Sequence, residues 1–174
     1  MSTILIIDDD DQLRASFKKL LVAEKYQVVD AASGEAGLDK LAQGLAPDLI
    51  VLDIRLPGIS GIETFRKIHR LDPKLPVIIM TAYGTTETAI EATKMGAFDY
   101  LLKPFDIPDM LAVVEQAVGT GRFRRSPIDV DAMPRDTVNE AIVGRSKPMQ
   151  DVYKLIGRVS SSDATVLVLS LIHI

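Results

Sequence analysis

Carboxylates crowd the end of the first short aliphatic run in this chain: TILII, residues 3–7, is followed by Asp8, Asp9, Asp10 and Asp11. A further aspartate, Asp53, ends the run LIVL; Thr81 follows VIIM, and Lys103 follows YLL. Carboxylates brought together repel one another unless a cation offsets their charge. Oxygen ligands without Cys or His point to a hard ion, and Mg²⁺ suits a few carboxylates plus waters. Such an ion beside a carboxylate is what phosphoryl chemistry needs, because charge on the transferring oxygens must be neutralised. Plainer readings exist for single residues. Asp10 and Asp11 read as cap or turn formers, Thr81 alone as a cap, and Lys103 alone as a surface lysine. Asp53 resists that treatment, since IRLPGISG follows it, with Pro57, Gly58 and Gly61 in a loop where backbone can approach a ligand closely.

Positioning these groups requires strands that end at one edge. Residues 1 to about 118 repeat a short aliphatic run, a turn and an amphipathic helix. The runs are Thr3–Ile7, Gln27–Ala31, Leu49–Leu52, Val77–Met80 and Tyr100–Leu102. Three are nearly continuous branched apolar residues, as expected of parallel strands buried on both faces. Leu13, Phe17, Leu20 and Leu21 fall on one helical face, as do Ile62, Phe65, Ile68 and Leu71. Ser33-Gly34 opens a helix, Ala46-Pro47 breaks before the third strand, and Asp72-Pro73 stops the third helix. Alternating units of this kind predict an α/β fold with a doubly wound parallel sheet, whose functional groups collect past the carboxyl ends of the strands. Periodicity alone does not give the strand order.

Composition narrows the chemistry further. The 174 residues are 47% hydrophobic and 25% charged, as in ordinary globular domains. The net charge of −4, with both signs mixed, gives no electrostatic reason to propose nucleic acid as a direct partner. The absence of Cys excludes disulfides and thiolate sites, and two histidines, His69 and His173, make zinc improbable. No apolar run reaches membrane-span length and the amino terminus lacks a basic leader region, so a cytoplasmic setting with no membrane partner is the expectation.

After Val118 the texture changes. Gly119–Asp136 has glycines, prolines and no sustained period, and reads as a linker; Arg122, Arg124 and Arg125 read as solvated linker charges. A helix at 148–159 and a strand at 165–169 (TVLVL) then suggest the opening of a second α/β unit.

The blocks ILIIDDDD, LIVLDIRLPGISG, VIIMTAYG and GAFDYLLKPF resemble the four signature blocks of response-regulator receiver domains. The resemblance implies a flavodoxin-like five-stranded sheet of order 2-1-3-4-5 over residues 1–118. It implies phosphorelay signalling, in which a sensor histidine kinase or a small acyl phosphate donates the phosphoryl group. Neither His69 nor His173 fits a donor role. Carried over by position, Asp53 matches the phosphoacceptor. Asp9 matches the direct carboxylate ligand of Mg²⁺, Asp8 its neighbour acting through water, and the Arg55 backbone carbonyl the third protein ligand. Thr81 matches the hydroxyl that bonds the phosphoryl group, Ala82 the small residue that admits it, and Lys103 its counter-charge. Tyr100 matches the aromatic switch, acting with the segment Tyr83–Thr88, and Pro104 follows a peptide that is usually cis. A homodimer through the fourth helix, fifth strand and fifth helix, or through the linker, is a further implication.

Residues 142–169 resemble the start of the AAA+ domain of sigma-54-dependent (NtrC-type) transcriptional activators. The expected division is a receiver at 1–118, a linker at 119–140, a truncated AAA+ opening at 141–169 and a non-native tail at 170–174. No G-x-x-x-x-G-K-[ST] occurs, so no ATP-binding residues are assigned. DNA and sigma-54 polymerase are then partners only through domains outside these residues. The chain is expected to be a switch with intrinsic phosphorylation and dephosphorylation chemistry rather than an enzyme. A haloacid-dehalogenase-type phosphatase is the runner-up, but its second Asp is replaced here by Arg55. A flavodoxin-like cofactor binder would set a phosphate against the acids after strand one.

Overall fold

Residues 1–82 and 95–123 are described by the computed structural model, together with Asp151, Val152, Leu155, Ile156 and Val159. Strands β1 (Thr3–Ile7), β2 (Gln27–Ala31), β3 (Leu49–Asp53), β4 (Val77–Thr81) and β5 (Asp99–Leu102) form one parallel sheet. Its order is β2-β1-β3-β4-β5. Helices α1 (Asp11–Ala23), α2 (Gly34–Ala42) and α3 (Gly61–Leu71) connect the early strands, and α4 (Ile107–Phe123) follows β5.

Alternation along each strand sends side chains to two cores. Ile4, Ile6, Val51, Ile78, Met80 and Leu101 pack with Phe17 and Leu21 of α1 and with Met110 and Val114 of α4. Leu5, Ile7, Ile50, Leu52, Ile79 and Tyr100 pack on the other face, with Phe65 and Ile68 of α3 and, more peripherally, Leu38 and Leu41 of α2. Each fully buried Ile or Leu among them contributes about 1.5–3 kcal/mol. Every residue of β3 and β4 is buried, whereas edge strand β2 exposes Gln27 and half-buries Val28, Val29 and Asp30.

Helix starts follow from their caps. Asp10 accepts the N–H groups of Gln12 (2.9 Å) and Leu13 (3.0 Å), Ser33 accepts Ala36 N–H, and Ser60 accepts Glu63 N–H. Each satisfies donors at a helix N-terminus that have no intrahelical partner.

The structure departs from the sequence reading in several places. The last helix does not stop at Val118 but runs through Gly119 and Gly121 to Phe123, into the expected linker. Glycine disfavours a helix by only about 1 kcal/mol per residue, too little to force a stop in a helix already anchored by Met110, Val114 and Ala117. Leu71 is 69% exposed despite its place in the apolar pattern. It lies in the final turn of α3, and Leu75, beyond the Asp72 cap, packs on the core instead. His69 is half-buried and stacks on Phe65 at 5.6 Å. Of the helix expected at 148–159, Asp151, Val152, Leu155, Ile156 and Val159 are helical. Segment 124–150, the run 165–169 and residues Tyr83–Thr88 lie outside the described residues.

Candidate cation and phosphoryl site

The register of the sheet brings the polar strand ends together. Ile7 pairs with Leu52, Asp53 with Met80, and Thr81 with Leu102, so Asp8, Asp53, Thr81 and Lys103 emerge side by side at one edge. Carboxylate oxygens of Asp8, Asp9 and Asp53 lie within 4.8 Å of one another. Asp8 and Asp53 are buried, Asp9 exposed. The Lys103 ammonium reaches across from β5, 2.7 Å from Asp8 Oδ2 and hydrogen-bonded also to Asp53 Oδ2.

The remaining carboxylate oxygens are held by backbone. Asp8 Oδ1 accepts from Asp10 N–H, and Asp53 Oδ1 accepts from Arg55 N–H, each at 2.9 Å. Both side chains are therefore fixed before any ligand arrives. Burial pushes the Asp8 carboxyl up, and this outweighs the pull of Lys103. For Lys103, burial opposes the charge, but hydrogen bonds to Asp53 and Asp8 raise its ammonium above the usual lysine value. Two buried carboxylates thus share one cation, and the surplus negative charge makes the cluster a fit for a hard ion.

A cavity of about 410 Å³ opens over this cluster, lined by Asp8, Asp9, Asp10, Leu13, Asp53, Arg55, Ala82 and Lys103. Neither Thr81 nor Tyr100 lines it. Thr81 is 1% exposed at the end of β4, and Tyr100 belongs to the core shared with α2 and α3. Among the described residues the buried Tyr100 hydroxyl has no hydrogen-bond partner, and burial lifts its phenol to about 12. The Lys103–Pro104 peptide is cis. Asp10 is spent on the helix cap, where Leu13 N–H holds its carboxyl below the usual range, and Asp11 pairs with Arg14.

Three residues around the site escaped the sequence reading. Arg14 donates to the Asp8 carbonyl, Glu35 accepts the Ile59 N–H in the loop after β3, and Leu13 lines the cavity. Arg14 did carry a signal. A basic residue near the start of a helix opposes the helix dipole, so it needs another reason to be there. Gly61 was read as room for a ligand, but the structure gives a different cause. A Cβ there would lie 2.0 Å from the Asp53 carbonyl oxygen, so the glycine lets α3 abut the strand that carries Asp53.

Residues 4–115 match the family model of the response regulator receiver domain. The chain belongs to that family. Over 163 residues it is 37% identical to the DNA-binding transcriptional regulator NtrC of Klebsiella pneumoniae, a match covering 94% of this chain and 34% of that protein. The receiver thus spans, with its following segment, about a third of the length of such relatives. Among solved structures, a response regulator receiver domain protein from Clostridium thermocellum has a TM-score of 0.67 at 31% identity, covering 71% of this chain and 98% of its own. The response regulator protein TrrA from Thermotoga maritima, solved in complex with Mg²⁺-BeF, has a TM-score of 0.62 at 32% identity, covering 67% of this chain and 99% of its own. What the match shows of this chain is a receiver domain related in sequence to NtrC. No helix among the described residues is long and apolar enough to cross a membrane.

Proposed function

We propose that this receiver takes a phosphoryl group on Asp53, from a sensor histidine kinase or a small acyl phosphate, with Mg²⁺ bound at Asp8, Asp9, Asp53 and the Arg55 carbonyl. The observation that carries this reading is the one-ammonium, two-carboxylate cluster with Asp9 at its mouth. When bound, the cation supplies charge neutralisation for the oxygens of the transferring group. Asp53 is the nucleophile: its carboxylate oxygen forms the new O–P bond as the bond to the donor breaks, leaving an acyl phosphate. Lys103, now shared with Asp8, is placed to follow Asp53 and pair with the charge added there. Ala82 leaves room at the cavity wall, and Thr81 and Tyr100 respond from the core side. Tyr100, whose buried hydroxyl has no partner among the described residues, has a reason to move once an acceptor appears near Thr81.

The output belongs to a longer protein. The division into a receiver, a linker from the end of α4, and an AAA+ opening at 141–169 fits a sigma-54-dependent activator, contacting DNA and polymerase through other domains. We assign no ATP chemistry to the present residues. A homodimer would form through the helix expected between β4 and β5 together with β5 and α4, or through the linker.

The test is labelling by acetyl phosphate in the presence of Mg²⁺, read by intact-mass and peptide mass spectrometry. The wild-type chain should gain one phosphoryl group at Asp53, and Asp53→Asn none. Mapping of the group to Asp10 or Asp11 instead would overturn the assignment.

A further inference from the structure

We infer that Arg14 is a positioning residue for the cation site, gripping the peptide that joins Asp8 to Asp9; this rests on the cation reading above. The Arg14 side chain is 11% exposed although it sits in the second turn of a surface helix. Its Nη1 donates to the Asp8 backbone carbonyl at 2.5 Å. Its Nη2 pairs with the Asp11 carboxylate. Its buried Nε makes no hydrogen bond among the described residues, but the Asp30 carboxylate of β2 lies 3.7 Å away. Asp30 is in turn held by Lys18 Nζ at 2.8 Å.

The geometry gives the planar fork a specific task. The carbonyl of Asp8 and the N–H of Asp9 belong to one rigid peptide unit. Fixing that oxygen from the α1 side restricts the dihedrals that aim Asp9. The Asp8 side chain is already tied to Lys103 and to Asp10 N–H, whereas Asp9 is exposed and projects at the cavity mouth. Its direction must come from the backbone beneath it, and Arg14 is the side chain on that backbone. The Asp30–Lys18 pair braces the guanidinium from the neighbouring strand. A lysine at position 14 would keep the charge but lose the fork, since an ammonium cannot hold a carbonyl and two flanking carboxylates in one plane.

Electrostatics makes this testable by sign. Arg14 is a cation close to a site for a cation. If it acted only through its charge, removing it would strengthen metal binding. If it positions Asp9, removing it weakens binding by about 10-fold, the usual scale for groups that orient ligands. The experiment is Mn²⁺ titration of the full chain, with free Mn²⁺ followed by electron paramagnetic resonance. Wild type, Arg14→Ala, Arg14→Lys and Asp9→Ala are compared, and thermal unfolding without metal confirms that each folds. Weakened binding in Arg14→Ala, with at least as large a loss in Arg14→Lys, which keeps the opposing charge without the fork, supports the inference. Unchanged or tighter binding in both Arg14 variants, with Asp9→Ala still impaired, overturns it and leaves the cation site standing. A wild-type chain that binds no Mn²⁺ overturns the cation reading and this inference with it.

Discussion

Lys103 is the residue on which the charge balance of the site turns. Its side chain is 18% exposed and its ammonium faces two carboxyl side chains that are 1% and 8% exposed. Lys103→Ala leaves both carboxylates buried without their partner, which should destabilise the metal-free protein by about 3–5 kcal/mol near neutral pH. The direction with pH follows from the two shifts. The Asp8 carboxyl is raised by burial, so in the folded state it favours its neutral form and its stabilising contribution fades as pH rises through that value. Lys103 is also raised, so its contribution is complete below the usual lysine value and is lost only as pH climbs through the higher folded one. The gap between wild type and variant should therefore open above the Asp8 transition and persist until Lys103 loses its proton. Urea unfolding across that range measures it; a pH-independent gap would mean that the loss is one of packing.

At the scale of elements, the site depends on how closely α3 approaches β3. Gly61 donates its N–H to the Ile54 carbonyl at 2.8 Å, and a side chain there would strike the Asp53 carbonyl. The neighbour is backbone and cannot swing aside. Gly61→Ala should thus cost about 3 kcal/mol or more and move Asp53 relative to Lys103. Thermal unfolding and acetyl-phosphate labelling should both suffer, whereas Ser33→Ala, a cap lost from α2, should cost about 1 kcal/mol and leave labelling intact. The loop between β3 and α3 has its own latch. Gly58 stands at φ 80° and the Glu35 carboxylate takes the next N–H at 2.9 Å, which holds that carboxyl below its usual value.

For the molecule as a whole, the strands and the polar residues at their ends were legible because buried parallel strands are short aliphatic runs and each run stops at a polar residue. Strand order was not legible from pattern, since the same runs allow several arrangements, and it came from resemblance. The Arg14 grip and the Gly61 contact were hidden for a common reason. Periodicity says which face a residue occupies but not which carbonyl lies opposite it. The end of α4 was missed because glycine is a weak helix breaker beside a packed apolar face. A cation that binds the folded chain alone should stabilise it, by about 2.7 kcal/mol at a hundredfold excess over Kd, and Asp9→Ala should abolish that gain in thermal unfolding. Lys103 is 95 residues from Asp8 and 50 from Asp53. During synthesis at about 5–20 residues per second, the acids therefore emerge and wait roughly 3–10 s between Asp53 and the arrival of their ammonium. Through that interval Asp8 and Asp53 lack the ammonium that both bond to in the folded protein.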